Sequence, residues 1–203
     1  MAARHFTRIA YAEEQISELV AVERALSRRR IELTPEEQAA LLHDRALLNY
    51  NKFLLVRSFT GRADERLLAL VVRLFDGLVA RPGTLRPLVL VHYAALWAER
   101  GDRRAAQRAL ARVSAEDLAA EPQDLAVAYY HLAQGDRRRA MSRLLQAAQR
   151  EAWDRPQNAR EGRTLRTNVY RMNDFDALRD HPLFQELVTR PEEAARALGE
   201  APR

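Results

Sequence analysis

Gly101-Asp102-Arg103-Arg104 returns, residue for residue, as Gly135-Asp136-Arg137-Arg138, 34 positions further along the chain. The likeness extends outward from the two tetrapeptides. Five residues after each glycine stands an alanine, Ala106 and then Ala140, and four further on Leu110 matches Leu144. Eight residues before each glycine is Tyr93 or Val127, followed by a small residue, Ala94 or Ala128. Each part has a physical reading. Glycine supplies the left-handed backbone that ends a helix, and aspartate caps the next one. The small residues let two antiparallel helices approach closely. The tetrapeptides therefore mark helix–turn–helix units.

A 34-residue period with these features resembles the tetratricopeptide repeat. The resemblance implies an all-α protein, a short right-handed α-solenoid of antiparallel helix pairs with an N-terminal helix and a C-terminal cap. It places repeats at 87–120 and 121–154 and reads residues 1–203 as a single all-α domain. Placing Gly61 in the same role gives a degenerate helix pair at 47–80, with Arg66 where the small residue belongs and Arg57 in place of the usual aromatic.

The flanks read as helices as well. Residues 1–33 hold an amphipathic helix from about Ala10 to Arg29, with Ile9, Ile16, Leu19, Val20 and Leu26 at helical spacing. Thr34-Pro35-Glu36-Glu37 is a helix start running to about Ser58, and a third helix covers about Asp64 to Ala80 before Pro82-Gly83. Residues 155–190 are expected to be capping helices, the first from Pro156 to about Tyr170. The run Phe175-Asp-Ala-Leu178-Arg-Asp-His-Pro182-Leu-Phe184-Gln-Glu-Leu187 resembles the closing segment of many bacterial tetratricopeptide proteins. That resemblance implies that Phe175, Leu178, Phe184 and Leu187 cover the open end of the last repeat. The tail, 191–203, reads as a weak helix that frays.

Composition agrees. The 203 residues are 47% hydrophobic with only 7 Gly and 8 Pro, enough apolar matter for a core and too little punctuation for strand meanders. There is no cysteine, so disulfides and thiolate chemistry are excluded and a reducing compartment is allowed. The N-terminus lacks an apolar stretch of signal-peptide length, and no segment approaches a membrane span of roughly 20 residues. The expected location is cytoplasmic, with no membrane partner.

Chemistry-bearing constellations are sparse. His5, His43, His92, His131 and His181 are dispersed, and none lies a helical turn from another. The pairs Glu13-Glu14, Glu36-Glu37, Glu116-Asp117 and Glu192-Glu193 fit helix starts or solvated faces. No glycine-rich phosphate loop and no nucleophile elbow occurs. The sequence predicts no catalytic residue, cofactor or metal.

What remains is a binding surface. In tetratricopeptide proteins the first helix of each pair lines the concave face. The resemblance puts Leu88, Val91 and Ala95, then Leu125, Tyr129 and Leu132, with Asn51 and Leu55 from the degenerate unit, on that face. An apolar groove of this kind suits an amphipathic helix or peptide, from another protein or a second copy of this chain. The same apolar periodicity describes a buried core, including one covered by the N-terminal helix. A second candidate is an Arg-rich edge: Arg103, Arg104, Arg137 and Arg138, joined by Arg163 and Arg166. Net charge is +5, with 33 Lys+Arg against 28 Asp+Glu and Lys52 the sole lysine. Interspersed acids and scarce aromatic platforms disfavour nucleic acid, leaving it as the alternative to a protein-binding scaffold or adaptor.

Overall fold

Thr34 and Glu37 open the second helix with a reciprocal capping box. The Thr34 N–H donates to Glu37 Oε2 at 2.8 Å, and the Glu37 N–H donates to Thr34 Oγ1 at 3.2 Å. Pro35, with no N–H to satisfy, takes the first helical position. The computed structural model describes residues 2–81, 86–119, 123–149, 156–158, 163–164 and 173–199. They are overwhelmingly helical, as an all-α reading requires.

The chain divides into two compact units, Met1–Leu85 and Arg86–Arg203. The division falls just after Pro82-Gly83, a pair that cannot continue a helix.

In the first unit, α1 (Ala2–Arg28) packs on α2 (Pro35–Thr60), and α2 packs on α3 (Glu65–Val79). Gly61 ends α2 at φ 72, and Asp64 Oδ1 accepts the Leu67 N–H at 2.8 Å to begin α3. The α2–α3 core is large and apolar: Phe53, Val71 and Phe75 are fully enclosed, with Tyr50 edge-on to Phe75 at 6.1 Å. Arg66 is exposed, so this pair closes on phenylalanine and valine where the repeats use alanine. On α1, Ile16, Leu19, Val20 and Leu26 are only half-buried, and Tyr11 keeps 60% of its surface. Two ion pairs, Lys52–Glu13 at 2.9 Å and Arg45–Glu23 at 3.2 Å, tie α1 to α2.

In the second unit the duplicated tetrapeptides fold alike. Helices α4 (Pro87–Glu99) and α5 (Arg103–Leu110) flank Gly101; α7 (Gln123–Ala133) and α8 (Arg137–Ala148) flank Gly135. Both glycines have φ 80. Gly101 N–H donates to Ala98 O and Asp102 N–H to Trp97 O, at 2.9 and 3.0 Å; Gly135 to Leu132 O and Asp136 to His131 O repeat the pattern at 2.9 Å. This is the Schellman motif. Asp102 and Asp136 then cap α5 and α8, accepting from Ala105 N and Arg139 N at 2.8 and 3.0 Å. Ala94, Ala106, Ala128 and Ala140 are all fully buried. A further helical turn, α6 (Ala115–Ala119), opens at Ser114, whose Oγ accepts the Asp117 N–H at 3.0 Å. Helices α4 and α7 pack on one another. Tyr129 Oη, donating to Glu99 Oε1 at 2.8 Å, joins the C-terminal halves of those two helices.

Two expectations for the C-terminal part are overturned. In place of a helix from Pro156, β1 (Pro156–Asn158) pairs antiparallel with β2 (Arg163–Thr164), with an irregular register between Pro156 and Asn158. Proline opens strands as readily as helices, and Gly162 costs a helix about 1 kcal/mol. The stretches 159–162 and 165–170 of that expected helix lie outside the described residues. The closing segment begins as a 3₁₀ turn, Asn173–Leu178, and continues as α9 (Pro182–Thr189). Phe175, Leu178, Phe184 and Leu187 are all enclosed, and the rings of Phe175 and Phe184 sit 6.4 Å apart. The tail does not fray over Pro191–Leu198: it is α10, with Ala194 and Ala195 fully buried against a stack in which α8 contacts both α9 and α10.

No atom lies within 4 Å of a Cβ built on Gly135, so a side chain there meets open space and pays only for its backbone. Gly135→Val should therefore cost about 1–2 kcal/mol from left-handed strain alone. Gly135→Asn, which tolerates that conformation, should cost clearly less. Thermal melts followed by circular dichroism check the order; equal melting of the two variants contradicts the turn.

Candidate functional site

Five of the eight residues expected to line the groove are buried. Val91 and Ala95 are 0% exposed, Tyr129 is 1% exposed, and Leu132 and Leu55 are also buried. Leu88 and Leu125 are half-buried, and only Asn51 stands out in solvent. Helix α4 explains why. Its buried residues, Val89, Leu90, Val91, Ala94, Ala95, Leu96 and Ala98, run round its whole circumference. Helix α5 packs on one side of it and α7 on another. A helix apolar all round is a core helix. Asn51 and Leu55 belong to the other unit.

Buried titratable groups surround this core. His92 of α4 has its Nδ1 shut off from solvent, and burial lowers its pKa from 6.5 to about 4. His131 of α7 lies edge-on to Tyr130 at 5.2 Å, and its buried Nδ1 has no hydrogen-bond partner among the described residues. Burial lowers its pKa; Asp136 opposes that, while Arg139 and Arg143 reinforce it. Tyr130 is raised by burial, against the pull of Gln134, which donates Nε2–H to Tyr130 Oη at 2.8 Å, and of Arg139. Among the described residues no three His, Asp or Glu side chains converge as metal ligands.

Asp124, 2% exposed, is a buried carboxylate that sequence reasoning missed. Its Oδ1 lies 3.6 Å from Arg143 Nη1, which also donates to Gln146 Oε1 at 3.0 Å. The pair links the start of α7 to the middle of α8. Its acid and base stand 19 positions apart, a separation without any helical or strand periodicity to reveal it.

The Arg-rich edge is partly assembled. Arg103, Arg104, Arg137 and Arg138 are exposed, and each pair occupies the first turn of α5 or α8. Tyr129 of α7, bonded to Glu99 two residues before Gly101, ties α7 to the turn end of α4. The nearby acids are committed: Asp102 and Asp136 to caps, Asp136 also to Arg139 at 3.4 Å, and Glu99 to Tyr129. Arg100 lies over the Trp97 ring at 4.9 Å from its centroid at the same end. Arg163 lies on β2 by its backbone, and Arg166 lies outside the described residues. Comparison with protein families, curated proteins and solved structures gave no match.

A His92 held neutral by burial disfavours the fold wherever the unfolded chain would take up a proton there. Its folded pKa lies below its ordinary value, so stability should be full above about pH 6.5 and fall as pH drops towards 4. The loss is on the order of 3 kcal/mol, with His131 adding in the same direction. Urea midpoints between pH 7 and 4 should drop for the wild type and drop less for His92→Gln. Parallel curves would remove His92 from the account.

Proposed function

We propose that this chain is a non-enzymatic protein-binding scaffold or adaptor built on tetratricopeptide-like helix pairs, and that it works in the cytoplasm. The observation that carries the reading is the sameness of the two turns. A sequence period equal to that of the tetratricopeptide repeat coincides with matched glycines at φ 80, matched aspartate caps and matched buried alanines. Such repeats offer surfaces and seldom chemistry. The absence of cysteine suits a reducing compartment. No helix among the described residues is long and apolar enough to cross a membrane.

With the α4–α7 face spent as core, the partner surface moves to the Arg-bearing end. Four exposed guanidiniums whose neighbouring acids are engaged elsewhere offer forked donors to carboxylates, so an acidic protein segment is the partner proposed. The stacked Arg100–Trp97 pair favours a second reading, a nucleic acid or other polyanion at the same end.

Arg103→Glu combined with Arg137→Glu reverses charge at exposed positions and should leave the fold intact. Wild-type protein should retain a defined acidic protein from nuclease-treated extract, and the double variant should lose it. A labelled single-stranded oligonucleotide bound by the wild type, with affinity collapsing as salt rises, assigns the end to polyanions instead. Equal retention of the same protein by the double variant excludes the Arg-bearing end.

A further inference from the structure

A cleft of about 630 Å³ opens in the first unit where α1 turns into α2. That volume is ordinary for a small-molecule site. Leu26, Leu41 and Leu42 give it an apolar lining. Gly77 of α3 lies against Leu42, whose Cδ2 is 3.4 Å from where a Cβ on that glycine would stand. Ile31 also lines the cleft and keeps 47% of its surface exposed, an apolar side chain with no full cover.

Polar groups on the walls are unequal. Glu23 and Arg45 satisfy one another at 3.2 Å. Arg81 reaches the cleft from beyond α3, and no carboxylate among the described residues lies within ion-pair distance of it. Glu32 is the remaining charge on the lining. The backbone that shapes this place is strained. Arg30 N–H donates to Ser27 O and Ile31 N–H to Leu26 O, both at 3.1 Å, the same motif that ends α4 and α7. Here its left-handed position is filled by Arg30, at φ 52, where the other two have glycine. Strain of this kind gathers at ligand sites.

We propose that this cleft binds a small organic monoanion: a carboxylate on an apolar body, its head on the Arg81 guanidinium and its body on Leu26, Leu41 and Leu42. The guanidinium fork matches a carboxylate with two parallel N–H donors. Glu23 and Glu32 select against a second negative charge. A fatty acid and the C-terminus of an apolar peptide share this chemistry.

The test uses the full chain and calorimetric titration with octanoate, octylammonium, octanol, and an N-acetylated trileucine with either a free or an amidated C-terminus. Octanoate or the free-acid peptide should bind saturably at one site, and the tighter of the two names the source. Octylammonium and the amidated peptide should bind far more weakly. Arg81→Gln should weaken the carboxylate by about tenfold or more. Ser27→Trp, at an exposed position on the cleft wall, should block it sterically, with an unchanged circular dichroism spectrum showing an intact fold. No saturable carboxylate binding at millimolar ligand, equal binding of octylammonium, or unchanged affinity in both variants overturns the proposal.

Discussion

A helix that must reverse within three residues has few ways to satisfy its last carbonyls, and the second unit depends on one of them. At Gly101 and Gly135 the chain passes through the left-handed region, and two N–H groups return to the helix just ended. The aspartate that follows closes the opposite account: its carboxylate takes a free N–H of the next helix. Two spare carbonyls of the ending helix and one spare N–H of the next are thus satisfied within about four residues. The partner helices are left antiparallel and close enough that only alanine fits between them, at 94, 106, 128 and 140. Larger side chains at those places would splay the pairs, and α4 would lose the neighbours that bury it.

The same economy shapes the surface. An aspartate that caps a helix spends one carboxylate oxygen on the backbone and has fewer acceptor sites left for its arginine neighbours. Asp102 and Asp136 are both spent this way, and Glu99 is spent on Tyr129. The exposed positive charge at this end is therefore a consequence of how the turns are built. The net charge of +5 alone does not locate it.

How much of this could be read beforehand follows from what kind of force fixes each feature. Turns are fixed locally, so Gly61, Gly101 and Gly135 were legible from residue type, as was the helix start at Thr34. The burial of Phe175, Leu178, Phe184 and Leu187 was implied by the resemblance of their run to a closing segment, and all four are enclosed. Burial by an unknown neighbour was not. Leu125 and Val91 share one periodicity, yet one is half-covered and the other enclosed. The missing signal lay in α4 itself: Pro87–Glu99 has almost no polar face, which marks a helix surrounded by others. Pro156 misled because proline opens both strands and helices. The weak-looking tail packs because Ala194 and Ala195, each unremarkable alone, fall on one face of α10. The cleft drew on α1, α2 and the end of α3 together, and no local pattern could announce it.

The first unit shows what happens when the shared turn is built from a different residue. Arg30 adopts a conformation that costs a non-glycine residue about 1–2 kcal/mol, and glycine would remove the cost. Helix α1 has little burial with which to offset it: of its described side chains only Ala12 is fully enclosed, and its larger apolar residues are half-covered. Ion pairs from Glu13 and Glu23 hold it to α2, and exposed pairs of that kind contribute little each. A lightly held helix ending in a strained turn gains more from added contacts at that turn than a fully packed one does. Whatever fills the space between Leu26, Ile31, Leu42 and Arg81 would supply cover where α1 most lacks it, so ligand binding and the ordering of α1 are coupled through the same few side chains.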